Sequence, residues 1–228
     1  LDAAYGLPYA SLPLFSEAPY TISSVETSRS FFAQMNYQTE ALQDEKVREA
    51  IAMGIDKDGF TRVLLDGNGT AAAGPFPSSF AFGDDTVTAP AYDPDQAREL
   101  LKEAGWTDTD GDGYVDKNGE DLTIRWLTYP SRQELPLLAE SVQSTLGDIG
   151  IKVEVNSTAN HLDVLQRGDW DIYASAFVCA PTGDPEYFFT THCLDSSTHN
   201  RGGYHSDRLE ELEAQMSTAF DVEKRASL

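Results

Sequence analysis

Leu122–Thr128 (LTIRWLT), Glu134–Ile149 (ELPLLAESVQSTLGDI), Ile151–Val155 (IKVEV) and Asp171–Phe177 (DIYASAF) decide the architecture. The first is an apolar, strand-like run. The second places Leu135, Leu138, Ala139, Val142, Leu146 and Ile149 on one helical face, and Gly150 follows where a left-handed cap is needed. The third and fourth read as two more strands joined by a short helix. A strand–helix–strand unit with short connections makes a parallel, right-handed crossover, so the three strands are expected to point one way. Ligands on such open sheets sit beyond the carboxyl ends of the strands. Tyr129–Gln133 and Val178–Asp184 leave those ends and form the expected working surface.

Composition narrows the function. The chain has 228 residues, 40% hydrophobic and 24% charged, enough for one large domain or two small ones. No apolar run approaches the roughly 18 residues of a membrane span, and no signal peptide begins at Leu1. Both ends look like the middle of something, so the chain reads as a fragment whose compartment its own ends do not reveal. Thirty-eight acidic against 16 basic residues give a net charge of −22. Such a surface repels nucleic acid and anionic membrane, and its simplest role is solubility. Cys179 and Cys193 are too few for a disulfide framework or a thiolate metal site. A local disulfide and two free thiols both fit. Enzymatic signatures are missing: no GxSxG, HExxH or Walker sequence occurs.

Upstream, Tyr20–Asn36 alternates like one extended strand. Asp44 is placed to cap a helix carrying Val47, Ala50, Ile51 and Ile55, and Asp56 to cap a second with Phe60, Val63 and Leu64. Asn68–Ala91 reads as a long Gly/Pro/Ser/Ala-rich loop. Asp93-Pro94 opens a helix with Ala97, Leu100, Leu101 and Ala104 on one face, ended by Gly105. After Asp184 come an aromatic stretch (Tyr187, Phe188, Phe189), a polar loop and a final amphipathic helix from Asp207.

Five stretches resemble, in order, the bacterial extracellular solute-binding proteins of family 5, the peptide- and nickel-binding components of ABC importers. They are ALQDEKVREAIAMGIDKDGF, AYDPDQARELLKEAGW, DTDGDGYVDKNGEDLTIRWL, GDPEYFF and GYHSDRLEELEAQ. The resemblance implies two lobes closing on a ligand, with residues 1–20 the remnant of the first lobe and hinge, and 21–228 the second lobe. It also marks departures. Dipeptide-binding members place an aspartate where Pro181 stands, and the best-studied nickel binders place an arginine where Ala176-Phe177-Val178 stands. His199 falls in the loop where nickel-binding relatives carry a metal-contacting histidine.

The residues give candidate ligand contacts at Tyr129, Ser131, Arg132, Phe177, Val178, Cys179 and Thr182, and the resemblance adds His199. Arg132 beside a helix start suits a carboxylate, and equally a surface ion pair. The aromatics can stack on ligand or simply fill the core. Asp108, Asp110, Asp112, Tyr114 and Asp116 match alternate positions of an EF-hand calcium loop, but Gly119 stands where its bidentate carboxylate belongs. A plain acidic turn has the same composition.

The expected protein is therefore an α/β, periplasmic-binding-protein-like lobe with a mainly parallel sheet. It is expected to capture a nickel complex or oligopeptide between two lobes for an ABC permease. It would be a monomer, extracellular or periplasmic and membrane-anchored at full length, without nucleic-acid partners or a required cofactor, calcium at Asp108–Asp116 being optional. As half a cleft, the chain alone is expected to bind ligand weakly. The competing class is a calcium-stabilised structural or adhesive surface domain.

Overall fold

The computed structural model describes residues 2–83 and 87–228. In chain order the elements are a 3-10 turn at Tyr9–Phe15, strand β1 (Arg29–Met35), helices α1 (Glu40–Gln43), α2 (Glu45–Met53) and α3 (Lys57–Gly59), which runs on into a π-helical turn at Phe60–Leu64 that buries Phe60 and leaves Val63 and Leu64 exposed, and helix α4 (Pro94–Glu103). The short strands β2 (Asp116–Lys117) and β3 (Glu120–Asp121) follow, then β4 (Thr123–Thr128), α5 (Glu134–Gly147), β5 (Lys152–Ser157), α6 (His161–Arg167) and β6 (Ile172–Val178). Helices α7 (Glu186–His192), α8 (Asp207–Met216) and α9 (Val222–Ser227) complete the chain.

The main sheet runs β1-β6-β4-β5. β4 is parallel to β5, Thr123 opposite Lys152 through Thr128 opposite Ser157, and parallel to β6, with Trp126 opposite Ile172. The expected co-directional trio is present: Thr128 and Ser157 end level, and β6 runs on four residues past them to Val178. β1 joins antiparallel, Arg29 opposite Val178, and begins at that same end. The extended run expected from Tyr20 is strand only from Arg29, because β6 offers seven residues to pair with and Thr21–Thr27 lie exposed beyond it.

Alternation divides the sheet's side chains between two layers. Ile124, Trp126, Ile172 and Ala174 pack with Leu135, Ala139, Val142 and Leu146 of α5, Val47, Ala50 and Ile51 of α2, and Ala97 and Leu101 of α4. Each such aliphatic contributes roughly 1.5–3 kcal/mol by leaving water. The opposite face carries Leu127 and Tyr173 under Val164, Leu165 and Trp170, and Phe32 and Phe177 under α7.

The caps follow the sequence. Asp44, Asp56 and Asp93 accept the amides of Lys46, Gly59 and Gln96. α5 stops two residues before Ile149, and Gly150 at φ +85° lets the Ile151 amide reach back to Leu146 O at 2.9 Å. Within the expected loop Asn68–Ala91, residues 84–86 lie outside the described ones, and the rest forms no helix or strand.

One buried carboxylate locks the strands' amino-terminal side. Asp171 accepts from Arg125 N (2.8 Å), Nε (3.0 Å) and Nη2 (2.7 Å), and from the Thr39 hydroxyl (2.8 Å). Burial alone would raise its pKa, but these bonds outweigh burial and hold the carboxyl below the usual range.

Candidate functional site

The shared carboxyl end gathers the turns after β4 and β6 and the start of β1. Tyr129, the first residue past β4, ties its turn to strand β6: its hydroxyl accepts the Ala176 amide at 3.1 Å. Its ring stacks on His161 at the start of α6, centroids 4.4 Å apart. Ser131 and Arg132 stand exposed, and among the described residues Arg132 has no carboxylate partner.

On the β6 side, Phe177 lies parallel to Tyr187 at 5.6 Å and edge-on to His192 at 4.2 Å. Val178 is half-buried and Thr182 is exposed. Cys179, expected among the ligand contacts, is fully buried with its thiol 3.7 Å from Phe177 O. It packs the strand end and presents no surface, which corrects that expectation. The Asp184 carboxylate accepts the Glu186 amide at 2.9 Å, so it caps the next helix. It is also clamped. Arg225 Nη2 reaches Asp184 Oδ1 and Oδ2 at 2.7 and 2.8 Å and Glu186 Oε2 at 2.6 Å, while its Nη1 holds Met216 O and Ala219 O. No local pattern signals this clamp, because its partners are 41 residues apart.

His199 stacks on His192 with centroids 5.0 Å apart. Burial, reinforced by His199, pushes His192 down to about 4, and burial followed by the nearby Arg201 lowers His199. Both imidazoles are neutral at pH 7. His199 and Phe177 therefore share one cluster, with ring centroids 5.9 Å apart, while Tyr129 sits with His161 and Tyr173. His205 lies apart on the surface between Asp195 and Asp207.

In the acidic loop, Asp108, Asp110 and Asp116 can each bring one oxygen within 4.8 Å of the others. Asp112 is not in that group, and its carboxylate accepts the Tyr114 amide at 2.9 Å. Asp116 is buried and its oxygens already receive the Thr109 amide (2.7 Å) and hydroxyl (2.8 Å). Asn118 and Gly119, at φ +57° and +82°, turn the β2–β3 hairpin, so the last EF-hand position is spent on a tight turn. The clustered side chains are three carboxylates; calcium takes six to eight oxygens, so backbone carbonyls or water would have to supply the rest.

A profile for "bacterial extracellular solute-binding proteins, family 5 Middle" matches residues 1–200. The chain belongs to this family. The oligopeptide-binding protein AppA of Bacillus subtilis is 29% identical over 69% of the chain and 30% of its own length. The nickel-binding protein NikA of Staphylococcus aureus is 26% identical over 85% of the chain and 38% of its own. The crystal structure of S. aureus NikA with Ni(L-His)2 superimposes with a TM-score of 0.83 at 23% identity, covering 97% of the chain and 45% of NikA. The fold is that of a periplasmic-binding-protein lobe, as the family resemblance implied. The chain spans less than half the length of these relatives. The family is one of solute-binding proteins, not of enzymes.

Proposed function

We propose that this chain supplies the second lobe, residues 21–228, of a receptor that captures a nickel complex or an oligopeptide and hands it to an ABC permease. Residues 1–20 would belong to the first lobe and hinge. One observation carries the reading: three co-directional strands open toward one end of the sheet, where Tyr129 past β4 is held to Ala176 near the end of β6, and β1 enters the sheet at the same end. The upstream segment lies over that end, since the Tyr9 hydroxyl donates to Glu134 Oε1 at 2.6 Å. Closure of a partner lobe there would bury ligand against Phe177, Tyr129 and His199, with Arg132 meeting an acidic group at the rim.

The work is binding and not bond-making. The receptor would act as a monomer outside the cytoplasmic membrane, extracellular or periplasmic, held by an anchor at full length. Among the described residues no helix is long and apolar enough to cross a membrane. Family membership disfavours the calcium-stabilised adhesive domain. A calcium ion, if bound, would sit at Asp108, Asp110 and Asp116 and stiffen that loop alone.

Mass spectrometry of whatever copurifies with the two-lobed receptor, followed by calorimetry with the compound found, tests the reading. A peptide or nickel chelate bound tightly by the receptor and weakly by this chain alone is the expected result. Tight binding by the isolated chain would contradict the two-lobe mechanism.

A further inference from the structure

Among the described residues, one hydrogen bond ties the upstream segment to the lobe. Residues 2–26 hold a single helical element, the 3-10 turn Tyr9–Phe15, and that turn buries no residue. Tyr5 is fully exposed, Leu14 and Val25 largely so, and Phe15 packs edge-on against the segment's own Tyr20 at 5.2 Å. Residues 21–26 are exposed and belong to neither helix nor strand. The one bond to anything past them runs from the Tyr9 hydroxyl to Glu134 Oε1, 125 positions away, at 2.6 Å.

The bond is made at the working end. Glu134 opens α5 just after the β4 turn, so its carboxylate lies in the first turn, where the helix dipole favours negative charge. A phenol donating to a carboxylate at 2.6 Å is a short, charge-assisted bond. Burial, followed by the hydrogen bond to Glu134, raises the Tyr9 hydroxyl to about 12, so the donor keeps its proton at neutral pH. Both residues are half-buried, so water can take the place of each partner when the bond opens. Such a bond is strong enough to bias an equilibrium and weak enough to break.

We propose that Tyr9 and Glu134 form a latch between the two lobes, made when the cleft closes and broken when it opens. This rests on the receptor reading above, in which residues 1–20 belong to the first lobe and hinge, and it adds the pair that holds the closed form. The exposed run 21–26 supplies the slack that lets Tyr9 leave α5 while β1 stays paired with β6. The latch acts on the lobes and needs no ligand atom, so it sets how long a captured molecule stays and not how it is recognised. A charge-assisted bond present only in the closed state shifts the closed-to-open ratio by about fivefold to tenfold.

Stopped-flow kinetics on the two-lobed receptor test it, comparing wild type with Tyr9→Phe, Glu134→Gln and the double variant. The probes are trialanine and nickel with L-histidine. For whichever probe binds, Tyr9→Phe should raise the dissociation rate about fivefold or more, with the association rate within about twofold and the ligand-free melting temperature unchanged. Glu134→Gln should raise it less, because an amide oxygen still accepts. The double variant should dissociate no faster than Tyr9→Phe, since both changes break one bond. An unchanged dissociation rate in Tyr9→Phe, or effects that multiply in the double variant, overturns the latch and leaves the receptor reading standing. A ligand-free Tyr9→Phe receptor that melts about 3 °C or more below wild type makes the bond fixed packing, and likewise overturns the latch. A wild type that binds neither probe overturns both.

Discussion

Acidification should weigh on the stacked imidazoles His192 and His199, and on His192 most. His192 is 8% exposed, packed by Phe32, Phe177, Phe188 and His199, with its pKa lowered from 6.5 to about 4. Above pH 6.5 the ring is neutral folded and unfolded, so its titration costs nothing. Between pH 6.5 and about 4 the unfolded chain binds a proton that the folded chain refuses, and stability falls with pH. The full difference is of order 3 kcal/mol, of which roughly 2.5 kcal/mol is spent by pH 4.5. His192→Phe fills the same apolar surroundings, loses only the 2.9 Å contact of Nδ1 with Thr191, and removes the penalty. Urea unfolding of both proteins at pH 7.5, 6.5, 5.5 and 4.5 reads the effect as a difference of slopes. His199, lowered by burial, His205, whose pKa hydrogen bonding to Asp195 raises, and Asp171 are common to both variants and cancel. Parallel profiles, or an NMR titration of His192 with its midpoint at 6 or above, would refute the reasoning.

Other perturbations reach other parts of the fold. Asp171→Ala should destabilise by about 1–3 kcal/mol in urea, because it removes the buried acceptor of the Arg125 amide and the Thr39 hydroxyl, while the half-exposed Arg125 guanidinium returns to water; a loss under about 0.5 kcal/mol would mean that water replaces the carboxylate. Arg225→Met should release Asp184 and Glu186, seen as faster amide exchange over residues 178–186 with β4 and β5 unchanged. Uniform loosening would instead make Arg225 a general stability residue. Calcium at 1 mM should raise the melting temperature by no more than about 2 °C, since three carboxylates predict weak binding. A shift of ten degrees would show that waters and carbonyls complete a proper site.

What the sequence determined on its own was short-range. Periodicity in 122–178 fixed three strands and the helix between the first two, and caps at Asp44, Asp56 and Asp93 are bonds across three residues or fewer. Such features depend on neighbours in the chain, and crossover handedness then made the strands parallel. The Asn-Gly hairpin at 118–119 was also legible locally but was masked by the calcium-loop pattern overlapping it.

Tertiary packing decided the rest. It set β1 antiparallel against β6, buried Cys179, stacked His199 on His192, and brought Arg225 to Asp184 from 41 residues away. Which polar atoms are left unpartnered, Gln34 and His161 among them, is likewise settled only once distant faces close on each other. The reason is energetic: an apolar face specifies that it be covered, without specifying by which residue, so partner choice waits for the whole lobe to pack.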